Sequence, residues 1–206
     1  MKLNYMFFKR ISDIFFSIIL FVFFSPLFLF VSLIIKFYYK SKIFYIHQRV
    51  GCAGKNIFIY KFRTMRKNSE KILKDHLVKN PKEKITWEKK QKLYYDPRVT
   101  DFGKRLRAFS VDELPQILNI LKGDMSLVGP RPIVSEEKVR YKDSINLYES
   151  IKPGITGLWQ VSGRNNLSYE QRVELDVYYV KNVSFLLDLY ILFKTIPAVI
   201  FKKGAY

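Results

Sequence analysis

Residues 14–35 read IFFSIILFVFFSPLFLFVSLII, 22 residues without a charge, of which 18 are Ile, Leu, Phe or Val. As a helix the run is roughly 33 Å long, close to the hydrocarbon thickness of a bilayer. At a few tenths of a kcal/mol per apolar residue, its insertion is favoured by roughly 5–10 kcal/mol. Lys36, Lys40 and Lys42 follow where a cleaved signal would place small residues, and the run is too long for one. Positive charge marks the cytoplasmic side, yet both flanks carry it: Lys2, Lys9 and Arg10 before the run, Lys36, Lys40, Lys42 and Arg49 after it. Ser25-Pro26 stands at the middle. Proline removes one backbone donor and bends a helix, and a serine hydroxyl can satisfy a carbonyl so freed. The expected form is re-entrant, two half-helices entering and leaving one leaflet; a kinked spanning helix is the alternative.

The formal net charge is +18, with 36 Lys and Arg against 18 Asp and Glu, which calls for anionic partners. A hydrophobic content of 49% excludes a disordered tail, and 206 residues suit one core. Cys52 is the single cysteine, so no internal disulfide forms, and His47 and His76 are too far apart in sequence to form a metal cluster by themselves.

Residues 43–66 read as strand and turn, with Gly51 and Gly54 at the turn and IFIYKF (57–62) the second strand. Residues 67–95 are Lys-rich and form a solvated face of helices or loop. Leu114, Ile117, Leu118 and Leu121 make one apolar helix face, with Ser110 and Glu113 fitting a capping box and Gly123 a stop. Pro115 moves the helix start past Ser110. The apolar stretch 183–201 contains Asp188, Lys194 and Pro197, and suits an interfacial or core helix. There is no repeat, Walker-type loop or dinucleotide fingerprint. The fold class is mixed α/β, mostly helical with a small antiparallel strand pair, on a monotopic membrane protein with a re-entrant helix and interfacial amphipathic helices. Residues 1–40 are the membrane-embedded part and 41–206 the catalytic domain on the cytoplasmic face.

Asp112 and Glu113 are adjacent acids at the start of that helix. Capping is one role for them. Arg105 and Arg107 lie just before, Asp124 after, and Arg131 is held between prolines in GPRP (129–132). Lys61, Arg63 and Arg66 close the second strand. Acids, a helix N-terminus and guanidiniums in one stretch suit a pyrophosphate substrate and Mg²⁺, which takes one or two carboxylates plus phosphate oxygens. The helix N-terminus and arginines are expected to keep Asp112 ionised.

Four blocks carry a resemblance: the Ser-Pro-broken apolar run, KFRTM (61–65), DPRVTDFGKRLRAFSVDELPQILNILKGDMSLVGPRP (96–132) and PGITGLWQVSGR (153–164). Their wording and order resemble the bacterial sugar transferase family, the monotopic polyprenyl-phosphate phosphoglycosyltransferases, over nearly the whole chain and in its minimal form. Val183 and Arg105 depart from it, standing where the family usually has aromatics. The resemblance implies transfer of a sugar 1-phosphate from a UDP-sugar to undecaprenyl phosphate, with release of UMP. It implies Asp112 as nucleophile and Glu113 as supporting acid, both near Mg²⁺ held through substrate phosphate. Arg107 and Arg131 are the implied phosphate-facing arginines; Lys61 and Arg63 join them as candidate ligands of the nucleotide sugar. The implied setting is the bacterial inner membrane and the first membrane step of capsule, O-antigen, exopolysaccharide or glycoprotein glycan synthesis, with membrane lipids and downstream glycosyltransferases as partners and no nucleic acid. Three rivals are weighed. A membrane-tethered nucleic-acid binder fits the charge but needs no acidic pair. A glycosyltransferase releasing UDP usually shows Rossmann-like alternation, absent here. A non-catalytic scaffold would tolerate loss of Asp112.

Overall fold

The computed structural model describes residues 2–90 and 93–200. The apolar run lies in a 32-residue helix, α1 (Lys2–Leu33), which passes into a π-helical turn over Ile34–Tyr38. Ser25 and Pro26 do not divide α1 into separate helices. Pro26 cannot donate to the carbonyl of Val22, and the Ser25 hydroxyl donates to that carbonyl instead, at 2.8 Å. The serine thus meets its expected role, and the chain stays helical through the proline.

A hairpin follows. Strand β1 (Phe44–Val50) pairs antiparallel with β2 (Asn56–Phe62), Phe44 opposite Phe62 and Val50 opposite Asn56. Ala53 and Gly54 turn the chain at positive φ. Two polar helices come next, α2 (Ser69–Lys79) and α3 (Pro81–Lys90), neither with a residue described as buried, and Pro81 opens α3 where a missing N–H costs nothing. Helix α4 (Asp101–Ala108) is capped by Thr100, whose hydroxyl accepts from Gly103 N at 2.9 Å.

The helix expected over 110–123 forms in two parts, a 3₁₀ stretch over Val111–Gln116 and then α5 (Ile117–Lys122), which Gly123 ends at φ 95°. The expected capping box is absent. Ser110 sits at φ 56° and its side chain caps nothing, while Glu113 turns to another partner. Pro115 lacks the N–H a regular first turn would use, which favours the tighter stretch.

Strand β3 (Ser126–Val128) leads through the short helices α6 (Lys138–Tyr141) and α7 (Ile145–Glu149) to β4 (Gly154–Thr156). β3 and β4 pair in parallel, Ser126 beside Gly154, a second sheet that no pattern in the sequence announces. The last described helices are α8 (Leu158–Ser162), α9 (Tyr169–Asn182) and α10 (Phe185–Ile200). The mixed, mostly helical class with an antiparallel strand pair is as expected.

α1 packs on the rest of the molecule at both ends. Near its start, Tyr5 and Met6 join the core of Ile59, Ile120, Met125 and Tyr179. Buried Lys9 pairs with buried Asp188 of α10, Arg10 donates to the carbonyls of Ile120 at 2.6 Å and Leu121 at 3.1 Å, and Asp13 accepts from Leu127 N at 3.1 Å. Near its end, Val31 and Ile35 are buried against Phe62 and Leu106, with Phe28 4.8 Å from the Phe62 ring. Between them one face stays bare: Phe15, Phe16, Ile18, Ile19, Val22, Phe23 and Phe30 are all exposed. α10 likewise exposes Phe185, Leu186, Phe193, Ile196 and Ile200.

Candidate active site

The left-handed turn at Ser110 reverses the chain after α4 and lays the 3₁₀ stretch along β2. That placement brings Asp112 and Glu113 to the end of the hairpin, where Lys61 leaves the strand. Opposite stands the GPRP loop. Gly129 N donates to Thr156 O at 2.9 Å and Gly154 N to Pro130 O at 2.8 Å. The two backbones approach so closely that a Cβ on Gly154 would lie 2.1 Å from Gly129 N. The GPRP and PGITG strings therefore fold as one unit, and Arg131 and Trp159 emerge side by side from it.

These elements enclose a cleft of ≈ 640 Å³. Lys61, Arg63, Arg98, Arg107, Arg131, Arg164 and Arg172 line it, against the acids Glu70, Asp112 and Glu113. Such an excess of cations suits an oligoanionic ligand. The two adjacent acids differ in partners. Glu113 accepts from Lys61 Nζ at 2.6 Å and lies 3.6 Å from Arg131. The Asp112 side chain makes no hydrogen bond or ion pair among the described residues, though it lines the cleft. Burial pushes the Asp112 carboxyl up from its usual range and the neighbouring Glu113 adds to this, against the pull of Lys61, Arg107 and Arg131. That direction is opposite to the one the arginines and a helix N-terminus would give. The expected helix N-terminus is a short 3₁₀ turn, and burial outweighs the arginines. Burial also disfavours a charged Glu113, but Lys61 and Arg131 outweigh it and hold that carboxyl low.

Arg107 Nε donates to Thr64 Oγ1 at 3.0 Å, which fixes its fork toward the cleft floor. The Trp159 ring lies 5.9 Å from the Arg131 guanidinium and 4.8 Å from that of Arg172. Behind it, the Tyr148 hydroxyl sits 3.1 Å from Arg131 O and accepts from Ile133 N at 3.2 Å, bracing the loop.

All six candidate ligands and acids named from the sequence, Lys61, Arg63, Arg107, Asp112, Glu113 and Arg131, line this one cleft; Ser25, Pro26, Arg105 and Asp124 do not. His47, Arg98, Trp159, Arg164 and Arg172 join them without having been expected. Trp159 and Arg164 stand in the PGITGLWQVSGR block and Arg98 in the DPRVT block, but nothing in the spacing marks them. The start of α2, expected to be wholly solvated, also contributes Ser69 and Glu70.

A family model described as bacterial sugar transferase matches residues 4–202. Exopolysaccharide production protein ExoY of Sinorhizobium fredii is 47% identical over 198 residues, covering 96% of this chain and 88% of the relative. Undecaprenyl-phosphate galactose phosphotransferase of Salmonella typhimurium is 49% identical over 205 residues, 97% of this chain but 42% of that protein. UDP-glucose:undecaprenyl-phosphate glucose-1-phosphate transferase of Klebsiella pneumoniae is 36% identical over 211 residues, 98% of this chain and 42% of the relative. The chain belongs to the bacterial sugar transferase family.

Proposed function

We propose that this member of the family is a phosphoglycosyltransferase that moves a sugar 1-phosphate from a UDP-sugar to undecaprenyl phosphate, in the step that initiates a surface polysaccharide or glycoconjugate. The names of the Salmonella and Klebsiella relatives support the reaction class and the lipid carrier. The observation that carries the mechanism is the asymmetry of the acids: Glu113 is engaged by Lys61 and Arg131, while Asp112, beside it in a cationic cleft, is not engaged.

The Asp112 carboxylate attacks the phosphorus that bears the sugar. The bond from that phosphorus to the bridging oxygen breaks, and UMP leaves with the electron pair. An aspartyl phosphosugar remains. A phosphate oxygen of undecaprenyl phosphate then attacks the same phosphorus and Asp112 leaves as a carboxylate, giving undecaprenyl diphosphate sugar. Lys61, Arg107 and Arg131 offset charge on the transferred group, and Glu113 holds Lys61 and Arg131 in place. Two adjacent carboxylates fit a hard cation that shares the substrate's phosphates, so Asp112 and Glu113 would hold Mg²⁺, which would neutralise phosphate charge.

We propose that the chain lies on the cytoplasmic face of the inner membrane, with both ends of α1 on that face and the helix unbroken at Ser25-Pro26. Support comes from α1 contacting one folded body at both ends while its mid-section presents a bare apolar face. The test of the chemistry is mass spectrometry with UDP-sugar and Mg²⁺ but no lipid acceptor. The protein should gain one sugar phosphate and release UMP once, and Asp112→Asn should do neither. An adduct on another residue of Asp112→Asn, or UDP as product, overturns the mechanism.

A further inference from the structure

His47 lies on β1 and lines the cleft, with Ile59 as its cross-strand partner and the Tyr45 ring 5.5 Å away. The proposed transfer leaves it without a part in the chemistry, because a carboxylate and a phosphate are the nucleophiles, a phosphate and a carboxylate the leaving groups, and no proton has to move. Its tautomer, however, is fixed. Arg49 Nη2 lies 3.1 Å from His47 Nδ1, and a guanidinium only donates, so Nδ1 accepts and the hydrogen of the neutral ring is on Nε2. Arg49 is itself held, 3.8 Å from Glu137. Nε2 has no hydrogen-bond partner among the described residues.

We infer that His47 is a recognition donor of the nucleotide-sugar subsite, its Nε2–H hydrogen-bonding a neutral acceptor oxygen of the donor substrate, either a sugar hydroxyl or a uracil carbonyl. This rests on the proposed transfer from a UDP-sugar. The cations lining the cleft match phosphate oxygens, whereas a neutral imidazole N–H matches an uncharged oxygen. Elsewhere in the lining, Thr64 Oγ1 accepts from Arg107 and Gln160 Nε2 donates to Ile155 O. Burial, together with the positive charge of Arg49 and Lys61, draws the ring down to about 4, so it stays neutral at cytoplasmic pH and leaves phosphate to the arginines.

The experiment compares wild type, His47→Ala and His47→Gln, the last keeping an N–H donor. UMP release is followed across UDP-galactose, UDP-glucose and their N-acetylated hexosamine counterparts, with undecaprenyl phosphate and Mg²⁺, alongside inhibition by UMP. His47→Ala should lose about tenfold in kcat/KM, mainly through KM, with single-turnover adduct formation at saturating donor retained and His47→Gln closer to wild type. If the acceptor is a sugar hydroxyl, UMP inhibits as before while kcat/KM falls, and the loss differs between epimers where that hydroxyl is the one at C4. If it is a uracil carbonyl, all four donors lose equally and UMP inhibition weakens by the same factor. Should the alanine variant melt early, His47→Phe, which keeps a ring without the donor, gives the same readout. Wild-type-like kcat/KM for every donor together with unchanged UMP inhibition overturns the inference. A wild type that releases no UMP from any donor instead removes the proposed function.

Discussion

Asp176 of α9 is 1% exposed and accepts from the Tyr141 hydroxyl at 2.7 Å, while its second oxygen has no full hydrogen bond. Burial pushes its carboxyl up to about 8, against smaller pulls from Tyr141, Arg131 and Trp159. The folded state then keeps a proton that the unfolded chain releases above its ordinary carboxylate pKa, roughly 4. Between about pH 4 and pH 8 the native state binds more protons than the unfolded one, so stability falls as pH rises through that window, by up to several kcal/mol. Asp176→Asn should flatten this slope and melt higher than wild type at pH 8, with little difference near pH 4; thermal melts across the range check it, and a slope unchanged in the variant would sink the assignment. Residues of this kind are hard to find in a sequence. Asp112, Glu113, Lys61 and Arg131 could be named because they stand in the KFRTM, DELPQ and GPRP strings that carry the family resemblance, and because acids beside several cations suit a phosphate ligand. Asp176 and His47 carry no such mark, and their behaviour comes from burial and from partners brought in by distant strands and helices.

At the scale of elements, the same division holds. The hairpin was legible from its alternating β-branched and aromatic residues and its glycine turn, and the stop of α5 from Gly123. The β3–β4 pair was not, because three-residue strands carry no period, and what joins them is a backbone approach that only glycine allows. A Cβ on Gly154 would meet Gly129 N at 2.1 Å and Thr156 O at 2.5 Å. Both are backbone atoms, and Gly129 belongs to the loop that presents Arg131, so it cannot yield without moving that loop. Gly154→Ala should therefore cost about 1–3 kcal/mol as overpacking and lower activity further than the stability loss explains, since Arg131 shifts with the loop. Denaturant melts paired with UMP release under conditions where the variant stays folded separate the two effects. Full activity in a folded variant would mean the loop does not position Arg131. The capping box at Ser110 is the opposite lesson. The pattern was present, but Pro115 and the left-handed turn took the backbone elsewhere, and Glu113 found Lys61.

For the whole molecule, the question is how a helix of roughly 48 Å meets a bilayer whose hydrocarbon core is about 30 Å thick. A spanning helix places its two ends on opposite sides, and only one of them can touch a domain on the cytoplasmic face. Here Lys9, Arg10 and Asp13 near the start bond to α10, α5 and β3, and Val31 and Ile35 near the end are buried against β2 and α4. Separating either end would strand Lys9 or Asp188 as a buried charge without its partner, or uncover the Phe62 cluster, each at a cost of several kcal/mol. On the proposed topology the apolar face lies in one leaflet, with Phe15, Phe16, Ile19 and Phe23 toward the acyl chains. In a Cys52→Ser background, Lys2→Cys and Lys36→Cys should both resist an impermeant maleimide applied to intact spheroplasts and both react once the inner membrane is opened. Pro26→Ala restores the N–H that the Val22 carbonyl lacks and should shift a fraction of molecules toward spanning, seen as new labelling of one end from outside. A wild-type chain in which either end is labelled in intact spheroplasts would show that α1 crosses the bilayer, and the contacts at one of its two ends would then have to be broken in the membrane.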